Sequence, residues 1–387
     1  MHLSRTRWRQ DHLAEYFALP GGFVLYPPGD HLAFFLNGCH KNSCFPKRLI
    51  VIIIYRAGRI TEGKISFLYS FINHLEKFMK HRIAVIGLGG IAQKGHLPVL
   101  TAMPDVELFF YSRTHEKVKN LAEQYHIAKW TTNLNELLSW KADCAFILTP
   151  TPTHAELAAT CLNAGMDVFM EKPATESSAE TRKLAELANV KKRLAMVAFN
   201  RRYAPLSIKA REMWGQRSIT LANFQKSRAK PYFKGLFMHM SEELVHVIDS
   251  IRYFCGEAKA LITKARLGKD ELVLEVATLL QLEKGGLATM TASLQTGHWY
   301  ENYELNGDAA TLNLNVFSDV QFTQNESVQS WKEPYDSTWI SNLYGRGFVG
   351  QIEHFLHCVE TGEQPQTNLW DTVKTQLLVE DIVAKAK

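Results

Sequence analysis

An apolar strand that runs directly into a glycine turn constrains this chain more than any other feature. Residues 82–86 are followed at once by Gly87-Leu88-Gly89-Gly90-Ile91-Ala92 and then by a helical stretch. The first glycine permits a tight turn, the second lets a pyrophosphate approach the backbone, and the small third residue lets strand and helix pack closely. The helix N-terminus offers free N–H groups and partial positive charge to phosphates. The pattern therefore predicts a dinucleotide site at residues 87–92, and its alternative is a plain tight turn.

Strand and helix go on alternating up to about residue 200. Predicted strands fall at 82–86, 107–111, 144–148, 167–170 and 194–198, and helices at 91–102, 116–125, 135–139, 154–164 and 178–189. Repeated βα units of this length predict a parallel, doubly wound sheet with right-handed crossovers. We therefore expect an α/β Rossmann domain over residues 79–200.

The pattern changes after residue 200. Predicted strands fall at 219–226, 260–267, 272–282, 287–294, 300–306 and 311–316, and helices at 205–214, 242–254, 348–360 and 369–386. Several strands alternate as an antiparallel sheet with one covered face would, and residues 283–286 suit a hairpin turn. Residues 201–387 are thus predicted to form a second, α+β domain with a mainly antiparallel open sheet.

The first 78 residues do not match the rest of the chain, because they show no sustained hydrophobic period. They hold ten Lys and Arg against five Asp and Glu, which is the whole formal excess of +5. Met79 leads directly into the first strand, so one hypothesis is that Met79 is the true start and that residues 1–78 are an over-extended reading frame. The alternative is a genuine N-terminal appendage.

Composition excludes several function classes. Residues 79–387 carry no net charge, which gives no argument for nucleic acid binding. The apolar run at 49–55 is far shorter than the ~20 residues that a membrane span needs, and the N-terminus is not a convincing signal peptide. The six cysteines suggest no disulfide framework, so we expect a cytoplasmic protein. Cys39 and Cys44 have no second Cys/His pair with ligand spacing, so no metal site is predicted.

The end of the second predicted strand bears on which cofactor is bound. An acidic residue there usually holds the adenosine ribose of NAD, but this chain has Ser112, Arg113 and Thr114. The two hydroxyls can donate hydrogen bonds, and the guanidinium can neutralise a 2′-phosphate. NADP is therefore favoured over NAD, with an exposed arginine at a strand end as the alternative.

Two further segments follow strands of the predicted sheet. Residues 149–154 open a helix, and the prolines in this segment deny it helical geometry, so Thr149 and Pro150 are placed over the cofactor. His154 is a further cofactor-binding candidate, although a histidine at a helix start is more often a cap or packing residue than a catalyst. Lys172, in Glu171-Lys172-Pro173, stands at the carboxyl end of a strand and is placed to handle a proton beside the cofactor.

Together these motifs resemble the Gfo/Idh/MocA oxidoreductase family, and within it the MviM-type branch. The resemblance runs from about residue 80 to the C-terminus and is carried by the segments 87–92, 149–154, 164–173, 199–205 and 242–249. It implies an NAD(P)-dependent enzyme that acts on CH–OH groups. It also implies that the second-domain sheet can serve as a face-to-face interface between copies of the chain.

The resemblance assigns roles in the predicted active site. It implies that Lys172 lies near the nicotinamide and the substrate hydroxyl, where its ammonium can hold a hydroxyl or polarise a carbonyl oxygen. The family places an Asp and a His four residues apart on a helix, on one helical face. His246 matches the histidine and is a candidate proton relay. Glu242 stands at the Asp position, Glu243 is an alternative to it, and Leu244 replaces a glycine often found there.

Other site residues are less defined. Glu171 is either a cofactor contact or a brace for Lys172. Arg202 and Asn200 lie just beyond the last Rossmann strand and bind cofactor or substrate oxygens, with a structural salt bridge as the alternative for Arg202. Asp249 is expected to support its helix. Tyr344 and Arg346 are candidates for closing the cleft. Trp299 and Tyr300 are candidates for lining it, but packing in the core of the strands is the favoured interpretation of these two aromatics.

The sequence thus predicts an oxidoreductase that moves hydride between nicotinamide and a hydroxyl-bearing carbon of a sugar, cyclitol or related polyol. Lys172, His246 and Glu242 are the catalytic candidates. Two alternatives remain. The same scaffold supports a glycosidase that uses tightly held NAD for transient oxidation, and a dinucleotide-sensing regulatory protein would bind nucleotide without turnover.

Overall fold

The computed structural model describes residues 81–332 and 341–386 and four short strands nearer the N-terminus. The chain divides into two compact units, Met1–Met79 and Lys80–Lys387. The four strands of the first unit are β1 (Tyr16–Leu19), β2 (Gly22–Leu25), β3 (His31–Phe35) and β4 (Tyr55–Arg56), paired antiparallel in that order. Cys39, Cys44 and all but the last residue of the apolar run at 49–55 lie outside the described residues.

The second unit begins with a six-stranded parallel sheet, as the alternation of strand and helix predicts. Its strands are β5 (His81–Ile86), β6 (Val106–Tyr111), β7 (Lys129–Thr131), β8 (Cys144–Ile147), β9 (Asp167–Met170) and β10 (Ala195–Val197), in the spatial order β10-β9-β8-β5-β6-β7. The short β7 is the one strand of this sheet that the sequence did not predict. The strand order reverses between β5 and β8, and ligands of doubly wound sheets bind at such a point.

Helices cover this sheet close to their predicted positions. They are α1 (Leu97–Leu100), α2 (His115–Gln124), α3 (Leu134–Ser139), α4 (His154–Asn163) and α5 (Ser178–Lys191). The first helical segment starts at Gly90 and contains a π-helical turn, Ala92–His96, before α1. All residues of β8 and β9 are buried, because helices lie on both faces of the sheet.

An eight-stranded, mainly antiparallel sheet follows and confirms the predicted second fold. Its strands are β11 (Leu221–Ser227), β12 (Ala258–Leu267), β13 (Val273–Leu282), β14 (Leu287–Ser293), β15 (Tyr300–Gly307), β16 (Ala310–Asn315), β17 (Asp319–Gln324) and β18 (Ser327–Lys332), in the order β12-β13-β14-β11-β15-β16-β17-β18. Only β11 and β14 pair in parallel. Buried residues alternate along β14 and β15, which leaves the other face of these strands more open. The sequence missed β17 and β18, and every residue of β18 is exposed.

Helices of the second half pack on one face of this sheet and return to the first half. They are α6 (Pro205–Trp214), α7 (Leu236–His239), α8 (Val245–Cys255), α9 (Asn342–Gly345), α10 (Phe348–Thr361) and α11 (Leu369–Ala384). A π-helical turn, Met240–Leu244, precedes α8, so the helix predicted from residue 242 changes its winding at its start.

The C-terminal helix α11 ties the two halves of this unit together. The Glu380 carboxylate accepts hydrogen bonds from the Ser178 backbone and hydroxyl at 2.8 and 2.7 Å, and the Gln376 amide donates to the Thr175 carbonyl at 2.8 Å. None of the helices described in residues 81–332 and 341–386 is long and apolar enough to cross a membrane.

Candidate active site

The glycine turn lies at the point where the strand order of the parallel sheet reverses. Gly87 follows β5 with φ +94°, in the left-handed region that favours glycine. A Cβ at this position would lie 2.6 Å from Thr149 Cγ2 and 2.9 Å from the Leu148 carbonyl carbon. Only glycine therefore lets the turn after β5 pass this close to the chain that leaves β8.

The remainder of the turn suits a phosphate. A Cβ at Gly90 would meet nothing within 4 Å, so the backbone is open there. The helical segment starts at Gly90, and the first N–H groups of a helix have no partner inside it. The Gln93 amide donates to the Leu88 carbonyl at 2.8 Å and fixes the turn. These residues fit the pyrophosphate of a dinucleotide, the group that the sequence predicts for residues 87–92.

The residues predicted to hold the adenosine ribose lie together after β6. The Thr114 backbone donates to the Ser112 hydroxyl at 3.3 Å, so the two hydroxyl side chains belong to one short loop. Arg113 is exposed. Among the described residues, its guanidinium makes no hydrogen bond or ion pair.

His154 holds the proline-rich segment after β8 against the segment Glu171-Lys172-Pro173, which we call the lysine segment. This buried ring contacts the Thr149 carbonyl through Nε2 at 2.8 Å and the Pro173 carbonyl through Nδ1 at 2.9 Å. Pro150 precedes a short 3₁₀ turn, Thr151–Thr153. Both ring nitrogens of His154 therefore contact backbone carbonyls, which matches the packing role that its place at a helix start favoured.

Lys172 reaches from the parallel sheet to the second half of the unit. Its Nζ donates to the Glu242 carbonyl oxygen at 2.6 Å and lies 3.7 Å from Glu242 Oε2. The Lys172 side chain keeps 18% of its surface exposed. The Lys172-Pro173 peptide bond is cis.

The two adjacent glutamates of the π-helical turn separate in the structure. The Glu242 carboxylate accepts a hydrogen bond from Thr151 Oγ1 at 2.8 Å and therefore lies beside Lys172. Glu243 is buried with Lys226 Nζ at 2.9 Å and Arg228 Nε at 2.5 Å. Burial raises the pKa of Glu243, but these two cations outweigh it and hold the pKa at about 2. Of the two carboxylates that the sequence left open, Glu242 is the one beside the lysine.

His246 lies one helical turn beyond Glu242. Burial lowers its pKa well below 6.5, and the charges of Arg201, Lys172, Lys226 and Arg228 lower it further. Its Nδ1 is buried and has no hydrogen-bond partner among the residues that the structure describes. The ring is therefore neutral near pH 7, so it can accept a proton but holds one weakly.

A buried His96–Glu171 pair supports the lysine segment, and no sequence motif indicated this histidine. His96 Nε2 lies 2.6 Å from Glu171 Oε1, and Glu171 Oε2 accepts the Lys172 backbone N–H at 3.2 Å. Burial raises the pKa of Glu171, yet the hydrogen bond and charge of His96 and the Lys172 ammonium bring it below its usual value. Of the two roles considered for Glu171, these contacts favour a brace for Lys172.

Arg202 lies in a buried ion-pair network. Its Nε and one terminal nitrogen contact the Asp249 carboxylate at 2.8 and 2.5 Å, and the same terminal nitrogen lies 2.7 Å from Asp371. The Asp249 carboxylate also accepts a hydrogen bond from the Thr375 hydroxyl at 3.0 Å. These contacts favour the structural salt bridge over cofactor binding by Arg202. The Asn200 amide donates to the Arg346 carbonyl at 2.8 Å, which joins the chain after β10 to the segment before α10.

Metal ligation has no candidate in the described parts of the chain. No group of three or more His, Cys, Asp or Glu side chains within residues 81–332 and 341–386 is arranged to hold a metal ion.

Comparison with known proteins agrees with this geometry. The model of the Gfo/Idh/MocA oxidoreductase family, described as having an NAD-binding Rossmann fold, matches residues 81–199. Those residues contain the whole parallel sheet, the glycine turn and Lys172.

Two curated relatives match beyond the parallel sheet. The oxidoreductase YceM of Salmonella typhimurium is 28% identical over 323 residues, which cover 77% of this chain and 96% of that protein. The myo-inositol 2-dehydrogenase of Thermotoga maritima is 24% identical over 310 residues, 73% of this chain and 90% of that enzyme.

A solved structure shares the two-part fold. The MviM dehydrogenase of Clostridium difficile superposes with a TM-score of 0.71 over 78% of this chain and 98% of its own, at 22% identity. The parallel sheet followed by the antiparallel sheet is therefore the architecture of a known dehydrogenase.

Proposed function

We propose that this chain is an oxidoreductase of the Gfo/Idh/MocA family, whose model matches residues 81–199, and that it moves a hydride between nicotinamide and a hydroxyl-bearing carbon of a sugar, cyclitol or related polyol. The contact between Lys172 and the Glu242 carbonyl carries this proposal. It brings an ammonium group from the carboxyl edge of the dinucleotide-binding sheet to the turn that holds Glu242 and precedes His246. The Lys172 ammonium and the Glu242 carboxylate thus lie 3.7 Å apart.

The dinucleotide supplies the hydride chemistry when it is bound. The protein side chains then handle the substrate oxygen and its proton. In the oxidation direction, the hydroxyl proton passes to the neutral His246 ring, and the new carbonyl oxygen accepts a hydrogen bond from the Lys172 ammonium. In the reduction direction, the same ammonium polarises the carbonyl. Glu242, held by Thr151, keeps a carboxylate beside the lysine.

NADP is the proposed cofactor in preference to NAD. Arg113 is exposed after β6 and its guanidinium is uncommitted within the described residues, so it is available to a 2′-phosphate. The neighbouring Ser112 and Thr114 hydroxyls are available to the ribose.

Replacement of the lysine tests the proposed reaction. Lys172→Ala is expected to lower kcat by about 10²–10⁴-fold, the usual contribution of a positioned acid–base group. Dinucleotide affinity should stay within about twofold of the parent value, because the glycine turn is untouched. Turnover is followed by the absorbance of the reduced nicotinamide across a panel of sugars, inositols and polyols. This readout also separates a net oxidoreductase from a glycosidase that returns its cofactor unchanged.

Lys209→Ala is the matched control, since Lys209 is on α6, where it pairs with Glu212 and lies over the Trp331 ring. It should leave both turnover and affinity unaltered. Near-normal turnover in the Lys172→Ala protein would refute the proposed role.

A further inference from the structure

Three cations and two aromatic rings of the second half form one continuous cluster, which we call the cationic ladder. The guanidinium carbon of Arg228 lies 5.2 Å from the Trp299 ring centre, and that of Arg346 lies 4.9 Å from the same ring. Arg346 lies 5.2 Å from the Phe317 ring and Arg201 lies 4.9 Å from it. The two rings are 4.7 Å apart. Arg346 and the two rings therefore form a triangle, with Arg228 at one end of the ladder on Trp299 and Arg201 at the other end on Phe317.

One end of the ladder is satisfied by protein carboxylates. The Arg201 guanidinium makes three hydrogen bonds of 3.0 to 3.2 Å to the buried Glu301 carboxylate, which also contacts the Tyr303 hydroxyl. Lys226, next to the other end, donates to the Glu243 carbonyl at 2.7 Å and lies 2.9 Å from its carboxylate. These two cations have little hydrogen-bonding capacity left for a ligand.

Arg228 and Arg346 differ from them. Arg228 uses only Nε, on the Glu243 carboxylate, and within the described residues its two terminal nitrogens make no hydrogen bond. The Arg346 guanidinium makes no hydrogen bond or ion pair to any residue in 81–332 or 341–386, although its side chain is half-buried. A guanidinium that stacks on a ring keeps its edge free for donating in the plane. Each arginine therefore presents an unused donor edge next to Trp299.

The charges around the ladder do not balance. Within the described residues, this group contains five cations and three carboxylates, in a region largely closed to solvent. The cations are Lys172, Arg201, Lys226, Arg228 and Arg346, and the carboxylates are those of Glu242, Glu243 and Glu301. Burial lowers the pKa of Arg346, and the charges of Arg201 and Arg228 lower it further against the opposing effect of Glu301. The excess positive charge is thus an unfavourable interaction that a bound anion would relieve.

The neutral rings of His239 and His246 lie next to the same cations and add no charge. Burial lowers the pKa of His239 to about 4, with Lys226 and Arg228 contributing to the shift against Glu243. His239 is 1% exposed, and within residues 81–332 and 341–386 neither of its ring nitrogens has a hydrogen-bond partner. The region therefore contains unused polar atoms as well as unused positive charge.

The ladder adjoins the candidate catalytic residues. Consecutive glutamates of one π-helical turn connect them, because Glu242 contacts Lys172 and Glu243 contacts Arg228. A molecule whose hydroxyl lies at Lys172 and His246 can therefore extend toward Arg228 and Arg346.

We propose that the substrate of this oxidoreductase carries an oxyanion, a carboxylate or a phosphate, that binds to the free donor edges of Arg228 and Arg346 beside Trp299. The inference rests on the proposed function and narrows its substrate class to acidic sugars, cyclitols or polyols. Arginine pairs with both groups through two parallel hydrogen bonds, so the shared chemistry is an oxyanion that offers two acceptor oxygens.

A matched substrate series tests this proposal. Glucose, glucuronate and glucose 6-phosphate share one ring and differ in charge. We expect the parent enzyme to show a kcat/KM at least about tenfold higher for one of the two anions, from a charge-assisted hydrogen-bond pair, and to lose this preference as salt is raised. Preference for glucuronate or for the phosphate identifies which oxyanion is bound. Equal kcat/KM for the neutral and both charged sugars would overturn the proposal.

Arg346→Gln removes the unpaired cation while keeping a side chain of similar length. It should raise the KM for the preferred anion by about tenfold or more with little change in kcat, and leave the KM for glucose unchanged. Arg266→Gln, at an exposed pair with Glu275, is the control and should change neither the KM for the preferred anion nor the KM for glucose. An equal loss for glucose and for the anions would show that Arg346 acts through the fold and would overturn its assignment.

Binding measurements keep this inference distinct from the proposed reaction. Calorimetric titration of glucuronate, glucose 6-phosphate and glucose into the enzyme saturated with NADP⁺ requires no turnover. Anion binding that depends on Arg346, without reduction of the cofactor, would support the oxyanion site and count against the proposed reaction. Reduction of the cofactor by neutral sugars, with no binding of either anion, would support the proposed reaction and overturn the oxyanion site.

Discussion

The carboxyl edge of the parallel sheet is built differently from the buried charged clusters of the second half. We call these clusters, the Arg202 ion-pair network and the cationic ladder, the junction. At the sheet edge, each functional segment is a short run of neighbouring residues that follows one strand, as Gly87 follows β5 and Glu171 follows β9. At the junction, Arg202 meets Asp249 and Asp371, residues that are far apart along the chain. The cofactor side is therefore encoded locally, whereas the junction exists only when the fold is complete.

This difference has a functional consequence. A local motif can be kept in many proteins with little regard to the rest of the fold, which suits chemistry that all members of a family share. A cluster gathered from distant strands and helices can be altered one residue at a time, which suits the recognition of a particular substrate. The cationic ladder and the Arg202 network belong to the second kind.

Breaking the junction should give the largest change in stability. Asp249→Asn removes one carboxylate charge from the buried Arg202 network and leaves a cation undercompensated, so we expect a loss of about 3–5 kcal/mol in the free energy of unfolding. Urea unfolding measures this loss, and Glu212→Gln in an exposed pair is the control, expected to change stability by less than about 1 kcal/mol. Dinucleotide affinity should be retained. A small stability loss with a large loss of affinity would instead return Arg202 to the cofactor-binding role.

The pH dependence of the unfolding free energy tests whether the buried His239 ring, next to the cationic ladder, is neutral. The pKa of His239 is about 4 in the folded protein and 6.5 ordinarily, so the unfolded chain takes up the proton first. The contribution of His239 is complete above pH 6.5 and is lost as pH falls toward 4. Between pH 7 and pH 5 it should cost about 2 kcal/mol of unfolding free energy.

Denaturant titrations of the parent and His239→Gln proteins at pH 7 and pH 5 measure this difference. Between pH 7 and pH 5, His239→Gln should lose about 2 kcal/mol less unfolding free energy than the parent protein. His115→Gln is the matched control, because His115 is exposed on α2. An unchanged pH dependence in His239→Gln would mean that this ring is not buried neutral.

The smallest expected effect concerns the sheet edge. Arg113→Ser should raise the KM for NADPH by about tenfold, the equivalent of one charge-assisted contact of about 1.4 kcal/mol, and should leave the KM for NADH unchanged. Lys117→Ser on the following helix controls for a general loss of positive charge. A parent enzyme that prefers NADH would contradict the proposed cofactor.

Much of the fold and part of the candidate site could be predicted from the sequence. The glycine turn, five of the six parallel strands, most of the antiparallel strands and the residues around Lys172 follow from periodicity and turn chemistry. The exposed strand β18 has no buried face, and β7 has three residues, so neither gives a strong periodic signal. The π-helical turn Met240–Leu244 could not be predicted, because its residues also suit an ordinary helix.

The sequence by itself determined the local chemistry: a turn that only glycine allows after β5, and a lysine at the end of β9. Only the tertiary structure decided which partners these groups meet. It brought Glu242 rather than Glu243 to Lys172, placed His96 under Glu171, and stacked Arg228, Trp299 and Arg346 together. The physical reason is that backbone geometry depends on neighbours in sequence, whereas ion pairs and ring contacts depend on distances that form when remote segments pack.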